Sequence, residues 1–288
     1  MSNKYIIALG FFDCLHVGHR KLIEKTVDLA KENNLIPAVF TFDDDFFNVL
    51  LRNEKYIYTL EERKKLLNEI GIKEIFIGTP SNQFIDMNAL EFLDYLDNLG
   101  VIGVVCGEDF TFGSDKWGAN ELYEWSLCTG KGFYLQETIK FRNEKISSQN
   151  IRKLIQEGRI LEANALLKRE FFIIGEVVSG RGEGKKFGYP TANVYVSNSK
   201  LIPQYGVYKT HTFVDGKRYL SLTNVGNAPT FNADNIALET LILDFDENIY
   251  GKIISVHFEK KIRDICRFSS KNELKKQIEK DINEVTTL

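Results

Sequence analysis

The first half of the chain alternates short apolar runs with stretches whose apolar residues recur every three or four positions. Such runs predict buried strands, and such spacing predicts amphipathic helices. Because strands and helices alternate, we expect an α/β domain with a parallel sheet, whose ligands bind at the carboxyl ends of the strands. The predicted strands are YIIALGFF, IPAVFTF, EIFIG, VIGVVCG and GFYLQET, and the predicted helices are HRKLIEKTVDLAKENN, LEERKKLLNEIG and NALEFLDYLDNLG, with left-handed caps at Gly71 and Gly100.

The pattern changes after a further helical stretch, SSQNIRKLIQEGRILEANALLKRE. Strand-like runs then follow one another with few helices between them, and Asp215-Gly216 between two alternating runs is a strong hairpin signal. An antiparallel barrel or sandwich is therefore expected, closed by an amphipathic helix in SSKNELKKQIEKDINEV with Ser269 or Ser270 as its cap. We predict two domains, residues 1–167 and 168–288.

Composition narrows the class of protein. The chain is 43% hydrophobic and 27% charged, and its net charge of −3 combines an acidic first half with a basic second half. No apolar run is long enough to cross a bilayer, so we expect no membrane partners. Asp13 directly follows YIIALGFF, so we expect this segment to be a first strand and not a signal peptide. We therefore expect a cytoplasmic protein. A basic stripe with interleaved aromatic residues is absent from the sequence, which disfavours nucleic-acid binding. The four cysteines show neither metal-ligand spacing nor a disulfide framework, and we expect free, mostly buried thiols.

The segment ALGFFDCLHVGHRKLI places two histidines where the first strand gives way to a helix. A helix N-terminus offers backbone N–H groups and a partial positive charge to phosphate, and glycines at Gly10 and Gly18 allow close approach of a ligand. The imidazoles of His16 and His19 could donate hydrogen bonds to phosphate oxygens. Two alternatives stay open: metal ligation, for which the sequence offers no evident third ligand, and a structural role as helix cap or core residue.

Two later segments of the first half carry related chemistry. ISSQNIRKLI places Ser147, Ser148 and Arg152 at a helix start, where hydroxyls and a guanidinium suit phosphate, although an ordinary capped helix has the same pattern. VVCGEDFTFG ends a strand and brings Asp109 to its tip.

In the second half, VVSGRGEGKKFGYPTANV combines a glycine-rich loop with lysines, a pattern that can wrap phosphates or form an ordinary surface turn. Thr191 and Asn193 supply oxygen ligands that suit Mg²⁺. Alternation in ALETLILDFD puts Glu239 on one strand face with Leu241 and Leu243. A carboxylate there is costly unless it is functional or paired, for example with a lysine at the rim.

These motifs resemble known families. The pattern GxFDxxHxGHxxLI, followed by GEDFxFG and then ISSQN, resembles the signatures of the α/β phosphodiester nucleotidyltransferases. G-Y-P-T-A-N, followed by GVY at 206–208, NVGNAPTF at 224–231 and LETLILDFDENIYG at 238–251, resembles the riboflavin kinases. In this order the two resemble the bifunctional bacterial riboflavin kinase/FAD synthetase over about residues 5–285.

The resemblance implies an N-terminal Rossmann-like nucleotidyltransferase domain and a C-terminal antiparallel β-barrel riboflavin kinase domain with a terminal helix. It implies that riboflavin and ATP give FMN, that a second ATP transfers AMP onto FMN, and that FAD and pyrophosphate result with Mg²⁺ in both steps. It further implies that His16 and His19 stabilise adenylyl transfer and that Glu239 is the base of the kinase. The remaining implied contacts are Gly10, Phe12, Asp13, Gly18, Ser147, Ser148, Arg152, Gly180, Gly184, Lys185 and Gly188 for ATP and phosphate, Asp109, Tyr208 and Arg263 for flavin, and Thr191 and Asn193 for the metal.

The chain departs from the family pattern at several positions. Cys14 stands where the family usually has Gly, TFDDDF at 41–46 replaces TFDPHP, Gln149 replaces Thr, and Ile265 replaces Glu. Added acidic charge near a nucleotide site weakens phosphate binding unless a cation offsets it. Two alternatives follow: a monofunctional riboflavin kinase with a degenerate first domain, or a non-catalytic flavin- or nucleotide-binding regulatory protein.

Overall fold

The chain divides into two units, Met1–Ser148 and Gln149–Leu288. The structure, a computed structural model, describes residues 3–50, 54–80, 82–141, 144–180, 188–226 and 236–287. The helical residues 149–167 fall in the second unit, so the predicted domain boundary at 167/168 stays a prediction.

A parallel sheet organises the first unit. All five predicted strands form and pair in parallel, in the order β3-β2-β1-β4-β7. The three predicted helices also form, and Gly71 and Gly100 end two of them with φ of +113° and +88°. In chain order the elements are β1 (Tyr5–Leu9), α1 (Val17–Glu32), β2 (Ile36–Phe42), α2 (Asp44–Leu50), α3 (Leu60–Ile70), β3 (Glu74–Gly78), α4 (Asn82–Ile85), α5 (Ala89–Leu99), β4 (Val101–Gly107), β5 (Thr111–Phe112), β6 (Trp117–Gly118), α6 (Ala119–Thr129), β7 (Gly132–Gln136), β8 (Lys140–Phe141) and β9 (Glu144–Lys145).

The order of the strands locates the binding edge of this sheet. From β1 the chain builds outward through β2 and β3 on one side, and through β4 and β7 on the other. A crevice opens at the carboxyl ends of the strands where the order reverses, which here is between β1 and β4. Every residue of Tyr5–Leu9 is buried, as expected for a parallel strand covered on both faces.

A closed antiparallel barrel forms most of the second unit, which decides between the predicted barrel and sandwich. Its strands are β10 (Phe171–Val178), β11 (Ala192–Val196), β12 (Gly206–Val214), β13 (Lys217–Val225), β14 (Ile236–Ile242) and β15 (Ile253–Arg263), in the closed order β10-β11-β14-β13-β12-β15. Asp215 and Gly216 both have positive φ, at +49° and +79°, and make the predicted hairpin turn between β12 and β13.

Three helices accompany the barrel: α7 (Ser148–Gln156), α8 (Ile160–Leu167) and α9 (Lys271–Thr287). The stretch predicted as helical before the barrel is broken into α7 and α8 at Gly158, whose φ is +73°. Of the two candidate caps of α9, Ser270 accepts the Glu273 N–H, at 3.2 Å. Leu222 and Leu241 of the barrel form one apolar cluster with Val285 of α9. Among the described residues, no helix is both long enough and apolar enough to cross a membrane.

Candidate active sites

A cavity of about 680 Å³ opens in the first unit at the carboxyl ends of β1 and β4. It therefore occupies the crevice that the strand order predicts. Its lining includes both histidines, the tip of β4, and the serines that precede or begin α7. The lining includes Gly10, Phe11, Phe12, His16, Gly18, His19, Phe42, Phe46, Glu108, Asp109, Lys116, Lys145, Ser147 and Ser148.

His16 is the N-cap of α1. Its Nδ1 atom accepts hydrogen bonds from the backbone N–H groups of Gly18 and His19, at 3.1 and 3.2 Å. His16 thus has the structural role of a helix cap, which was one of the two alternatives. The N–H groups of Gly18 and His19 are bonded to its ring, so the expectation that they are offered to phosphate is wrong. In a neutral imidazole with Nδ1 as acceptor the proton resides on Nε2, which makes Nε2 a hydrogen-bond donor.

The rings of His16 and His19 stack, with centroids 3.8 Å apart and planes 16° apart. The edge of Phe12 packs against His19, with centroids 5.3 Å apart. Two residues of this turn that are not glycine, Phe12 and Leu15, have positive φ of 54° and 47°. Strained backbone of this kind persists only where surrounding contacts hold it, and it clusters at functional sites.

The two glycines of the motif make room for neighbouring rings. A Cβ at Gly18 would lie 2.9 Å from Cε1 of His16, and a Cβ at Gly10 would lie 2.9 Å from Cζ of Phe12. Any side chain at Gly18 would therefore displace the imidazole that caps α1. The predicted role of both glycines in close approach to a ligand stays a prediction, alongside this packing role.

Asp13 and Cys14 of the histidine turn are buried. Asp13 is buried and accepts a hydrogen bond from the Ile57 N–H, at 3.0 Å, and it is not part of the cavity lining. Cys14 is fully buried, and its Sγ lies 3.3 Å from Oγ of Ser148. The histidine turn and the ISSQN segment, 134 positions apart, therefore meet at this contact.

The predicted phosphate contacts of the ISSQN segment fall into different units. Ser147 and Ser148 line the cavity together with the histidines. Arg152 is buried on α7 in the second unit, and its role in binding phosphate stays a prediction.

The tip of β4 contributes charged groups of both signs. Asp109, the predicted flavin contact, forms an ion pair with Lys145. Glu108 accepts hydrogen bonds from the N–H and hydroxyl of Thr138, at 3.0 and 2.6 Å, and these bonds lower the pKa of its carboxyl. Lys116 lies in the same lining. Sequence reasoning missed both lysines, because neither belongs to a recognisable motif.

Two of the three aspartates at 43–45 accept hydrogen bonds within the first unit. Asp43 accepts the Phe46 N–H at 2.7 Å, near the start of α2. Asp44 accepts the Leu60 N–H at 2.8 Å and pairs with the guanidinium of Arg63 at 3.0 Å. Arg63 is 1% exposed, so Asp44 neutralises a buried cation. Of this segment, Phe42 and Phe46, not the three aspartates, line the cavity.

Aromatic rings form one wall of the cavity. Phe42 stacks on Phe46, with centroids 4.2 Å and planes 27° apart, and on Phe11, with centroids 5.7 Å and planes 26° apart. Such a wall suits a flat heteroaromatic ring. Phe46 stands where the family pattern has its second proline, so the departure that adds acids also adds a ring.

A second group of predicted residues meets on the barrel of the second unit. Asn193 of β11 pairs in register with Glu239 of β14, and Glu239 pairs with Asn224 of β13. The amide of Asn193 packs on Gly180, where an added Cβ would lie 2.1 Å from Nδ2. Asn224, which we did not single out from the sequence, places Nδ2 3.5 Å from Oε2 of Glu239.

Glu239 is exposed, so the argument from the cost of burying its carboxylate does not hold, although it shares a face with Leu241 as predicted. Among the described residues its neighbour is the Asn224 amide, and pairing with a lysine stays a prediction because Lys185 and Lys186 lie outside the described residues. Thr191 precedes β11, and Gly188 has φ of +82°, a conformation that favours glycine. Gly184 and Lys185 lie outside the described residues.

The two predicted flavin contacts of the barrel are placed differently. Tyr208 is fully buried, its hydroxyl donates to the Gln204 carbonyl, and burial raises its pKa, so the structure gives it a packing role. Arg263 ends β15, and its guanidinium binds the buried carboxylate of Asp281 through Nε at 3.0 Å and NH2 at 2.7 Å. Burial opposes the charge of Arg263, but Asp281 outweighs it and the pKa of Arg263 is raised.

Comparisons with known proteins cover both units. A family model described as FAD synthetase matches residues 1–150, and one described as riboflavin kinase matches residues 167–288. Two relatives are named bifunctional riboflavin kinase/FMN adenylyltransferase. The Bacillus subtilis (strain 168) protein is 34% identical to this chain, over 98% of this chain and 91% of its own length. The Escherichia coli (strain K12) protein is 30% identical, over 96% of this chain and 90% of its own length. A crystal structure described as a macrolide-efflux protein from Streptococcus pneumoniae matches with a TM-score of 0.88 and 29% identity, covering 100% of this chain and 95% of that one. The chain therefore belongs to the bifunctional riboflavin kinase/FMN adenylyltransferase family.

Proposed function

We propose that this protein makes FAD in two steps, phosphorylating riboflavin to FMN at the barrel and transferring AMP from ATP to FMN at the sheet. The observation that carries the proposal is that the histidine turn and the ISSQN segment, 134 positions apart, line one cavity at the switch point of the sheet. Family membership over both halves supports it independently.

In the first step the ribityl 5′-hydroxyl of riboflavin attacks the γ-phosphorus of ATP, and ADP leaves. Glu239 accepts the proton of the attacking hydroxyl. Its exposure and its place beside Asn193 and Asn224 support this role, because a base must be reachable by the substrate and held by its neighbours. Arg263, fixed by Asp281, orders the segment that contacts the flavin.

Mg²⁺ fits the donors at this end of the barrel. Hydroxyl, amide and carboxylate oxygens are the ligands it prefers, and the close approach of Asn193 to Gly180 leaves no room for a side chain at position 180. Thr191 and Asn193 would hold the ion, which when bound neutralises charge on the phosphates of ATP.

In the second step a phosphate oxygen of FMN attacks the α-phosphorus of a second ATP, the bond to the β-phosphate breaks, and pyrophosphate leaves. This transfer depends mainly on positioning and on neutralising charge. His16, through Nε2, and His19 donate to the phosphates, and the hydroxyls of Ser147 and Ser148 complete the cradle. The aromatic wall around Phe42 and Phe46 receives a flat ring of one substrate.

No observation favours the alternative of a degenerate first domain. Asp43 and Asp44 of the acidic run accept hydrogen bonds from backbone N–H groups, Asp44 also pairs with Arg63, and none of the three aspartates lines the cavity. The cations near the cavity, Lys116 and Lys145, offset the remaining negative charge. We also propose a cytoplasmic location, where ATP and riboflavin are available.

The direct test is to incubate the protein with riboflavin, ATP and Mg²⁺ and to separate the flavins by chromatography over time. FMN should accumulate first and then convert to FAD, with release of one pyrophosphate per FAD, and chelation of Mg²⁺ should stop both steps. FMN as the final product would support the monofunctional kinase instead. Unchanged riboflavin would support a non-catalytic protein.

A further inference from the structure

A cluster of carboxylates and imidazoles lies on the outer wall of the barrel, where β10, β15 and β12 adjoin. Glu170, His211 and Glu259 each place one ligand-type atom within 4.8 Å of the others. Oε1 of Glu170 lies 3.2 Å from Nδ1 of His211, and Oε2 of Glu259 lies 3.8 Å from Nε2 of the same ring. All three are half-buried, so they are held by the fold and still reachable by an ion.

The register of the strands explains why these side chains meet. His211 of β12 pairs with His257 of β15, and His257 pairs with Phe172 of β10, so these residues share one face. Between Thr210–Phe258 and Lys209–Lys260 the register shifts, which leaves Glu259 as the extra residue of a β-bulge. A bulge re-aims a side chain, and this one brings the Glu259 carboxylate to His211.

Neighbouring groups orient the second imidazole. Nε2 of His257 lies 2.9 Å from the Ser255 hydroxyl, and its Nδ1 lies 4.0 Å from Oε2 of Glu170. Phe172 stacks on the His257 ring, with centroids 4.9 Å apart. A hydrogen bond to one imidazole nitrogen that leaves the other facing a carboxylate is the arrangement that outer partners give to metal-binding histidines.

Two cations already contact this cluster, and they differ in how firmly they are held. Lys209 is buried and lies 3.3 Å from Oε1 of Glu259. NH2 of Arg218 lies 2.9 Å from Nδ1 of His211 and 3.5 Å from Glu170, but its side chain is 53% exposed. An exposed contact of this kind contributes little stability, so a divalent ion can displace the Arg218 guanidinium.

The histidine turn offers a comparison. Cys14, His16 and His19 also place ligand-type atoms within 4.8 Å of one another. There, however, the two rings stack face to face, so their in-plane lone pairs do not converge, and Nδ1 of His16 caps α1. On the barrel wall the carboxylates lie at the edges of the His211 ring, which is where an imidazole binds a metal.

We propose that Glu170, His211 and Glu259 form a binding site for one divalent transition-metal cation of the zinc class, with His257 beside it as a further donor. Ligand atoms around a tetrahedral zinc lie about 3.3 Å apart for bonds of about 2.0–2.1 Å. The Glu170–His211 pair, through Nδ1, is already near that spacing. Glu259 faces the other ring nitrogen, Nε2, so an ion held at Nδ1 requires the Glu259 side chain to turn toward it from within 4.8 Å. The imidazole makes the site selective against Mg²⁺, which prefers oxygen ligands. Bound to these three side chains, the ion links β12 and β15 to the start of β10.

The proposal is tested on the full-length protein by titrating zinc chloride calorimetrically in excess Mg²⁺ and without nucleotide. We expect one zinc per chain and a higher melting temperature with zinc. Glu170→Gln and His211→Gln should each weaken binding by about tenfold or more. Arg218→Gln should tighten it, because the competing guanidinium is gone, whereas the control Lys217→Gln removes the same charge one residue away and should not.

X-ray absorption of the zinc-loaded protein should show only nitrogen and oxygen neighbours at about 2.0–2.1 Å. A sulfur neighbour would place the metal at a cysteine, outside the proposed site, and overturn the proposal. The absence of zinc binding, or binding that neither Glu170→Gln nor His211→Gln weakens, would overturn it as well. The opposite signs expected for Glu170→Gln and Arg218→Gln separate ligand loss from a general loss of folding.

Discussion

At the scale of single residues, His16 has two tasks that one imidazole can perform together. Nδ1 caps α1, and this bond fixes the proton of the neutral ring on Nε2, the atom that donates to phosphate in the proposed adenylyl transfer. The ring of His19 stacks on that of His16, and only the backbone N–H of His19 takes part in the cap. Substitutions can therefore separate the cap from the chemistry.

We predict that His16→Ala loosens the first turn of α1 by about 1 kcal/mol, and that His16→Asn largely restores it because asparagine is a good cap. Both variants should form FAD from added FMN at least about a hundredfold more slowly, since neither has the imidazole donor. Hydrogen exchange at the start of α1 measures the first effect, and a single-step assay measures the second. Wild-type FAD formation by His16→Asn would show that the imidazole acts only as a cap.

The thiols give a second prediction at this scale. Burial raises the pKa of Cys106 to about 12, and Cys14 is fully buried, whereas Cys128 and Cys266 are exposed. Because the thiolate is the reactive form and a raised pKa keeps Cys106 protonated at pH 8, iodoacetamide should modify Cys128 and Cys266 first. Peptide mass spectrometry of the native protein over time checks the order. Modification of Cys106 as fast as Cys128 would contradict it.

Several residue roles could not be derived from the sequence, because they depend on partners distant along the chain. In the sequence Asp44 adds negative charge near a nucleotide site, but in the structure it pairs with Arg63, nineteen positions later. Tyr208 looked like a ligand contact, but its ring lies in the barrel core. The expectation of mostly buried thiols failed for Cys128 and Cys266.

At the scale of elements, α9 is fixed to the end of β15 by one ion pair. Asp281 of α9 is 1% exposed, and it accepts hydrogen bonds from Arg263 and from Gln277. Removing one partner of a buried pair leaves an uncompensated charge, which is strongly destabilising. The helix thereby holds the strand end that we propose to contact flavin.

We predict that Asp281→Asn destabilises the second unit by about 3–5 kcal/mol and lowers the affinity for riboflavin. Adenylyl transfer to added FMN should be preserved at temperatures where the protein stays folded. The control is Asp264→Asn, which removes an exposed partner of Lys261 and should change stability by less than about 1 kcal/mol. Urea unfolding and riboflavin titration measure the effects, and equal losses in the two variants would contradict the assigned role.

The sequence predicted the elements with a strong period and missed the weak ones. The five strands of the sheet and the helices α1, α3 and α5 have unbroken apolar patterns, and all of them form. The strands β5, β6, β8 and β9 span two residues each, too few to show a period. β11 begins at the last two residues of the GYPTAN segment, which was interpreted as a motif and not as a strand.

At the scale of the whole molecule, each unit holds its own group of candidate functional residues. The cavity lining runs from Leu9 to Ser148, whereas Asn193, Asn224 and Glu239 belong to the barrel. The order of the motifs along the chain was enough to predict two sites. The strand order, and with it the crevice between β1 and β4, required the structure, because periodicity does not reveal which strands are neighbours.

The central claim is that the imidazole-lined and carboxylate-bearing sites are separate and work in sequence, and a crossed assay tests it most directly. His19→Ala and Glu239→Gln are incubated with riboflavin, ATP and Mg²⁺, each alone and then mixed, and Glu239→Gln is also given FMN. We predict that His19→Ala stops at FMN, with adenylyl transfer reduced at least about a hundredfold. Glu239→Gln should leave riboflavin unchanged yet convert added FMN to FAD, and the mixture should make FAD from riboflavin. Formation of FAD from riboflavin by either variant alone at the wild-type rate, or loss of both steps in each, would contradict the account.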